Sequence, residues 1–218
     1  MIIELPKEYE YRGDNQKILA EVVHGELIVC GRVPFRKIMY DLTYALKGRQ
    51  TCYYCGKKIP PNKSTLDHIY PKDIGGPTVP NNMEISCEHC NCEKGNMTYA
   101  QYLEYRSLDS KEQSKLKVFV ARHREQMRLN HKYEIPEEWI TNIELSSIIV
   151  EWLFKEKYKG EKYKNIKEFY EKYGCFQKPI VVNSNNYLFD GFTQMVYARD
   201  IGLKTVPAIV IENIKILL

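Results

Sequence analysis

The chain has 218 residues, 44% hydrophobic and 28% charged, with 32 Lys+Arg against 28 Asp+Glu for a formal net charge of +4. At about 150 residues per domain this is one to two domains with a real core, and the composition excludes a disordered, collagenous or coiled-coil chain. No run approaches the roughly 18 consecutive apolar residues of a membrane helix, and residues 1–6 lack the basic and apolar regions of a signal peptide, so a cytoplasmic protein without a membrane partner is expected.

The charge is unevenly spread. Residues 1–133 hold 21 basic and 16 acidic side chains, whereas residues 134–218 hold 11 and 12. Residues 106–132 alone carry eight basic against three acidic groups. A polyanionic partner should meet that part, although such a run also serves as a merely solvated helix face.

In chain order, Glu26–Cys30 reads as a strand. Phe35, Ile38, Met39, Leu42 and Leu46 then recur on one face of a helix closed by Gly48, and this segment, residues 1–50, should pack on the cysteine-bearing unit after it. Next comes Cys52-Tyr53-Tyr54-Cys55, and after 31 intervening residues Cys87-Glu88-His89-Cys90. Seven cysteines without a secretory signal argue against a disulfide framework. Two CxxC turns instead supply four thiolates for a tetrahedral structural zinc site: Cys52, Cys55, Cys87 and Cys90, with Cys92 close enough to substitute for Cys90. A single CxxC would also suit redox chemistry; two in one chain favour the metal.

Between and after the knuckles stand Leu66-Asp67-His68-Ile69-Tyr70-Pro71, Gly75-Gly76, Asn81-Asn82 and Cys90-Asn91-Cys92-Glu93-Lys94-Gly95. The pattern predicts a hairpin followed by a helix starting near Asn91, too small to hold a core without its metal. It displays a carboxylate, an imidazole and amide oxygens, and oxygen donors suit magnesium or manganese as thiolates suit zinc.

In order and spacing these elements, over roughly residues 50–97, resemble the HNH endonuclease family of the ββα-metal fold, in the variant with Asn91 rather than His at the third signature position, with the nuclease core expected at residues 51–99. The resemblance implies DNA as partner and phosphodiester hydrolysis leaving a 5′ phosphate and a 3′ hydroxyl. It makes His68 the general base, Asp67 and Asn91 the ligands of one catalytic Mg2+ or Mn2+, and Asn82 the catalytic-site residue that steadies the base. Lys94 is expected against a DNA phosphate, with Arg32, Arg36 and Lys37 approaching DNA from the preceding helix. One such site cuts one strand, so a double-strand break requires a dimer or two nicks.

Residues 100–133 read as a basic helical linker. Ser110 and Gln113 form a capping-box pattern, Leu116, Phe119, Val120, His123 and Met127 mark an apolar face, and Lys115 and Arg122 on the other face are candidate phosphate contacts. Tyr133, Glu134, Ile135 and Pro136 break the pattern and set a boundary. Beyond it, Asn165 and Glu168 should cap a short helix ending at Gly174, followed by a strand at residues 179–183, a turn at Asn185-Asn186, a helix opened by Asp190-Gly191 and a closing strand at residues 206–211.

The stretches KPIVV, YLFDGFTQMVYARDIGL and KTVPAIVI resemble the ParB/sulfiredoxin-like fold over residues 134–218. That resemblance implies a nucleotide or protein partner, with Asp190, Gly191 and Thr193 at the phosphate end of a helix; the basic residue common just after is here Gln194. The expected fold class is therefore α+β: a zinc-stapled ββα-metal HNH domain with flanking helices, joined to a small α+β ParB/sulfiredoxin-like domain. A zinc-containing DNA-binding protein without catalysis, whose second domain senses a nucleotide or recruits a partner, is the alternative.

Overall fold

The structure is a computed structural model that describes residues 1–30, 35–48, 51–150 and 160–217. Arg32 lies outside the described residues. The chain opens on β1 (Glu10–Arg12), β2 (Ile18–Val23) and β3 (Glu26–Cys30), paired antiparallel in that order. His24 and Gly25, with φ of 50° and 78°, form the two-residue turn between β2 and β3, whose twist suits such left-handed backbone. α1 (Phe35–Lys47) buries Ile38, Met39, Leu42 and Thr43 as the sequence spacing requires. At its end Lys47 Nζ donates to Met83 O at 2.6 Å and pairs with Glu84 Oε1 at 2.9 Å, fixing the helix to the next unit.

That unit is a two-stranded antiparallel ribbon, β4 (Ser64–His68) with β5 (Met83–Cys87), registered from Ser64 opposite Cys87 to His68 opposite Met83. α2 (Glu88–Lys94) comes at once after β5 and starts three residues before the expected position near Asn91. The reason is the second knuckle: Cys87 serves as N-cap, its sulfur accepting from Cys90 N at 3.5 Å, so Asn91 sits in the body of the helix. α3 (Tyr99–Ser107) carries a complete capping box of Thr98 and Gln101.

α4 (Ser110–Leu129) corrects the expected cap and face. Asp109, not Ser110, is the N-cap, its Oδ1 accepting from both Lys111 N and Glu112 N at 2.9 Å. The buried row is Leu116, Val120 and Arg124, with Arg124 Nε paired to Glu134 Oε2 at 2.7 Å. Phe119, 63% exposed, and His123 lie outside that row and stack on each other with centroids 6.0 Å apart.

The remainder runs β6 (Thr141–Glu144), α5 (Glu161–Tyr173), β7 (Ile180–Asn183), β8 (Leu188–Asp190), α6 (Phe192–Asp200), β9 (Thr205–Ile211) and β10 (Ile214–Leu217). Four of the strands form one sheet in the order β6-β9-β7-β8. α5 begins at Glu161, four residues before the expected cap at Asn165, and ends as expected at Gly174, which is left-handed at φ 69°. β10 leaves this sheet to pair parallel with β3, so chain from both ends builds the first sheet. Residues 1–3 reinforce the join: Ile3 N donates to Asn213 Oδ1 at 3.0 Å and Asn213 Nδ2 donates back to Ile3 O at 2.9 Å.

Three apolar clusters hold these parts. One joins β2, β3 and α1 to Met83, Val181 and Ile211; a second lies beneath the cysteine knuckles and α3; a third fills the second sheet against α5 and α6. The first is shared by all three chain regions, which fixes the hairpin unit against the C-terminal sheet. Among the described residues no helix is long and apolar enough to cross a membrane.

Candidate active site and metal centre

The two CxxC turns bring Cys52, Cys55, Cys87 and Cys90 together, with all four sulfurs within 4.8 Å of one another. Tetrahedral zinc with Zn–S bonds of about 2.3 Å needs sulfurs roughly 3.8 Å apart, so the donor set and spacing fit zinc. Cys90 is buried inside the cluster while Cys92 is exposed and outside it, so the sulfur positions favour Cys90. Burial pushes the Cys52 thiol up, but backbone N–H groups of Cys87, Cys55 and Tyr54 outweigh it and hold the group at about 7. Burial raises Cys90 to about 12 and Cys87 upward, so a bound cation would be needed to favour their thiolates.

β4 carries the Asp-His pair out of the knuckles. As neighbours on a strand the two side chains point to opposite faces, and each finds different partners. His68 is 8% exposed, and its Nε2 shares a hydrogen bond with Thr78 Oγ1 at 3.0 Å. Burial first, then the positive charges of Lys72, Lys94, Arg36 and Lys178, push its pKa down to about 3, so the imidazole is neutral, and a general-base role needs a neighbouring anion such as a bound phosphate to raise its basicity.

Asn82 makes no hydrogen bond to the His68 ring. It is fully buried, its Oδ1 accepting from Tyr70 N at 2.9 Å and its Nδ2 donating to Tyr70 O at 3.0 Å and Pro77 O at 2.9 Å. It ties Tyr70, two residues after His68, to Pro77 across the loop that leaves β4. Gly76 belongs to the same clasp. A Cβ there would fall 1.7 Å from Tyr70 O and 2.9 Å from Asn82 Nδ2, so only glycine fits.

On the other side, Asp67 Oδ2 accepts from the Tyr54 hydroxyl and pairs with Lys94 Nζ at 2.9 Å. Lys94 also donates to His68 O at 2.7 Å and is 1% exposed. The expected phosphate contact of Lys94 is therefore wrong: its long stem runs inward from α2, and its ammonium is spent on the strand that carries the Asp-His pair. Burial lowers its pKa against the opposing pull of Asp67. One turn earlier, Asn91 Nδ2 donates to Thr65 Oγ1 at 3.1 Å. Asp67 on β4 and Asn91 on α2 thus stand without a hydrogen bond to each other or to His68. Asp67 Oδ1 and Asn91 Oδ1 remain as hard oxygen donors of the type that magnesium and manganese take, while Oδ2 of Asp67 is held by Lys94.

Of the other candidates, Lys115 and Arg122 are exposed on α4 beside Val118 and Phe119. Asp190 and Gly191 line a cavity of about 250 Å³, and Asp190 Oδ2 pairs with Lys178 Nζ at 2.6 Å. Gly191 is left-handed at φ 95°, and a Cβ would meet Ile180 Cγ2 at 2.4 Å. Thr193 is buried and outside that lining, and Gln194 Nε2 donates to Lys178 O at 2.7 Å. Tyr54, Thr65, Thr78 and Gly76 were not singled out as site residues by the sequence; the first three carry hydroxyls whose partners are set only by folding.

The HNH endonuclease family matches residues 52–104. An uncharacterized protein of Acidianus two-tailed virus, ORF326b, is 36% identical over 67 residues, covering 31% of this chain. The match spans 18% of the viral protein's own length. Two solved Pnob8-like ParB N-domain structures are similar at 20% and 15% identity with TM-scores of 0.28 and 0.29; each match covers 34% of this chain, and 28% and 27% of theirs. Scores of that size leave the C-terminal unit to be described by its own strand order.

Proposed function

We propose that the hairpin and α2 form a ββα-metal nuclease site that hydrolyses DNA, one strand per site, leaving a 5′ phosphate and a 3′ hydroxyl. The observation that carries this is the neutral, nearly buried His68 on a zinc-fitted ribbon, with the oxygen donors Asp67 and Asn91 on the same ribbon and helix. In the tautomer with the proton on Nε2, which then donates to Thr78 Oγ1, Nδ1 of His68 holds the lone pair that takes a proton from the attacking water. Asn82 and Gly76 keep the strand end, and with it the imidazole, in place. Asp67 and Asn91 would hold a Mg2+ or Mn2+, which when bound stabilises negative charge on the phosphate and the leaving 3′ oxygen. We assign the C-terminal unit an accessory role in DNA, nucleotide or partner contact, on a ParB/sulfiredoxin-like fold carried by its sequence motifs.

The position of Lys94 gives weight to one alternative. An ammonium already on Asp67 suits a zinc-containing DNA-binding module that does no chemistry. Mn2+ titration of the zinc-loaded protein separates the two. One Mn2+ per chain, bound at least about tenfold more weakly in Asn91→Ala, supports the nuclease site. No binding, or binding indifferent to Asn91→Ala, supports the module.

A further inference from the structure

The cations that bear on His68 come from separate stretches of chain: Arg36 from the start of α1, Lys72 from the turn after β4, and Lys178 from just ahead of β7, besides the buried Lys94. A close seam brings them together. Gln177 Nε2 donates to Asp73 O at 3.1 Å, and a Cβ on Gly75 would fall 2.9 Å from Pro179 Cδ and 3.5 Å from Lys178 Cβ. Phe35 stacks on Phe189 at 4.2 Å. Lys178 continues the basic edge into the 250 Å³ cavity, where Lys162 and Asn165 from α5 form the far wall.

Across this seam Arg36, Lys72, Lys178 and Lys162 outnumber the carboxylates Asp190 and Asp73, and Asp73 is paired with Arg124 outside the set. Asp190 is paired with Lys178, whereas neither Lys72 nor Lys162 has a carboxylate within 4 Å among the described residues, and Arg36 donates only to Tyr40 OH. Burial and the neighbouring Arg36 push the Lys72 ammonium down, with Asp190 pulling the other way. Like charges gathered this way oppose folding unless a polyanion meets them. Of the four, only Lys72 lies within the span of the HNH match.

We propose that Arg36, Lys72, Lys178 and Lys162 form a track for DNA phosphates along the seam between the hairpin unit and the C-terminal sheet, delivering the strand to His68, with Asp190 as the internal counterion that a phosphate displaces from Lys178. This rests on the nuclease proposal for the identity of the polyanion. Phosphate contacts of this kind confer affinity and register without sequence choice.

The test is fluorescence anisotropy of a labelled DNA duplex with the zinc-loaded full chain and no added Mg2+ or Mn2+, so that no strand is cut, over a series of salt concentrations. Lys72→Gln and Lys178→Gln are each expected to weaken binding about three- to tenfold and to reduce the salt slope by about one. Asp190→Asn should tighten it, and Lys7→Gln, the same charge change on an exposed residue outside the seam, should leave it within about twofold. Thermal melts establish that each variant is folded. Seam variants indistinguishable from Lys7→Gln overturn the track. So does the result that Lys178→Gln and Asp190→Asn alter binding of a fluorescent nucleoside triphosphate while leaving DNA affinity at the parent value, which makes the cavity a nucleotide site. Metal-dependent nicking by the parent is read separately: nicking with unaffected seam variants removes the track alone, and an intact track without nicking removes the nuclease alone.

Discussion

Cys52→Ser is expected to lose its zinc and to melt about 10 °C or more below the parent, and EDTA on the parent should give the same drop. The size comes from what the metal replaces. The ribbon and its seven-residue helix have little core of their own: Cys52 and Cys90, each 2% exposed, are themselves part of the cluster with Tyr54, Ile85 and Tyr102. Zinc binding by small knuckle units is worth about 10–16 kcal/mol near neutral pH, and that free energy is folding free energy. Losing even a third of it moves a chain of this size by about 10 °C. Zinc content by absorption spectrometry and a melting curve decide the matter. A variant that keeps one zinc per chain and the parent melting temperature would remove Cys52 from the site.

The second large effect lies at Lys94. Replacing it by Met should cost about 3–5 kcal/mol, because it strips the partner from a buried carboxylate while Asp67 keeps only the Tyr54 hydroxyl. The reverse change, Asp67→Leu, strands an ammonium at 0% side-chain exposure and should cost as much. Because each single change leaves an orphaned charge, the double variant Lys94→Met/Asp67→Leu should recover a large part of the sum. Urea unfolding of the four proteins measures this coupling directly. Additive losses would mean that the pair does not act as a unit, and a Lys94→Met variant within about 0.5 kcal/mol of the parent would mean that it is no clamp.

How much of this was legible in the sequence depends on the distance over which each residue acts. The cysteine cluster was readable because each CxxC turn is local and four sulfurs have few other uses in such a chain. The Asp-His pair and Asn82 were readable through the resemblance, yet their partners were not. Whether Asn82 bonds the imidazole or the backbone of Tyr70 depends on how the loop after β4 folds back over Gly76. Lys94 misled for a plain reason: a lysine in the last turn of a short helix usually faces water, and only the docking of α2 on β4 sends its ammonium to Asp67.

On α4 the apolar residues outnumber the positions that packing can cover. Periodicity included Phe119 and His123, while the true face is completed by Arg124, whose charge is neutralised by Glu134. The pairing of β10 with β3 had no local signal, since it joins the two ends of the chain. β6 was equally silent: it is four residues long, none of them buried, and is held as a strand by β9.

The central claim, a metal-dependent nuclease centred on His68, is tested most directly on supercoiled plasmid, with the parent and His68→Ala incubated in Mg2+, in Mn2+ and in EDTA. The expected result is nicking or linearisation by the parent in metal alone, reduced about 10²- to 10⁴-fold in His68→Ala, with zinc content and melting temperature unchanged because the imidazole binds no zinc. Cutting by His68→Ala at the parent rate, or cutting by the parent that persists in EDTA, would contradict it.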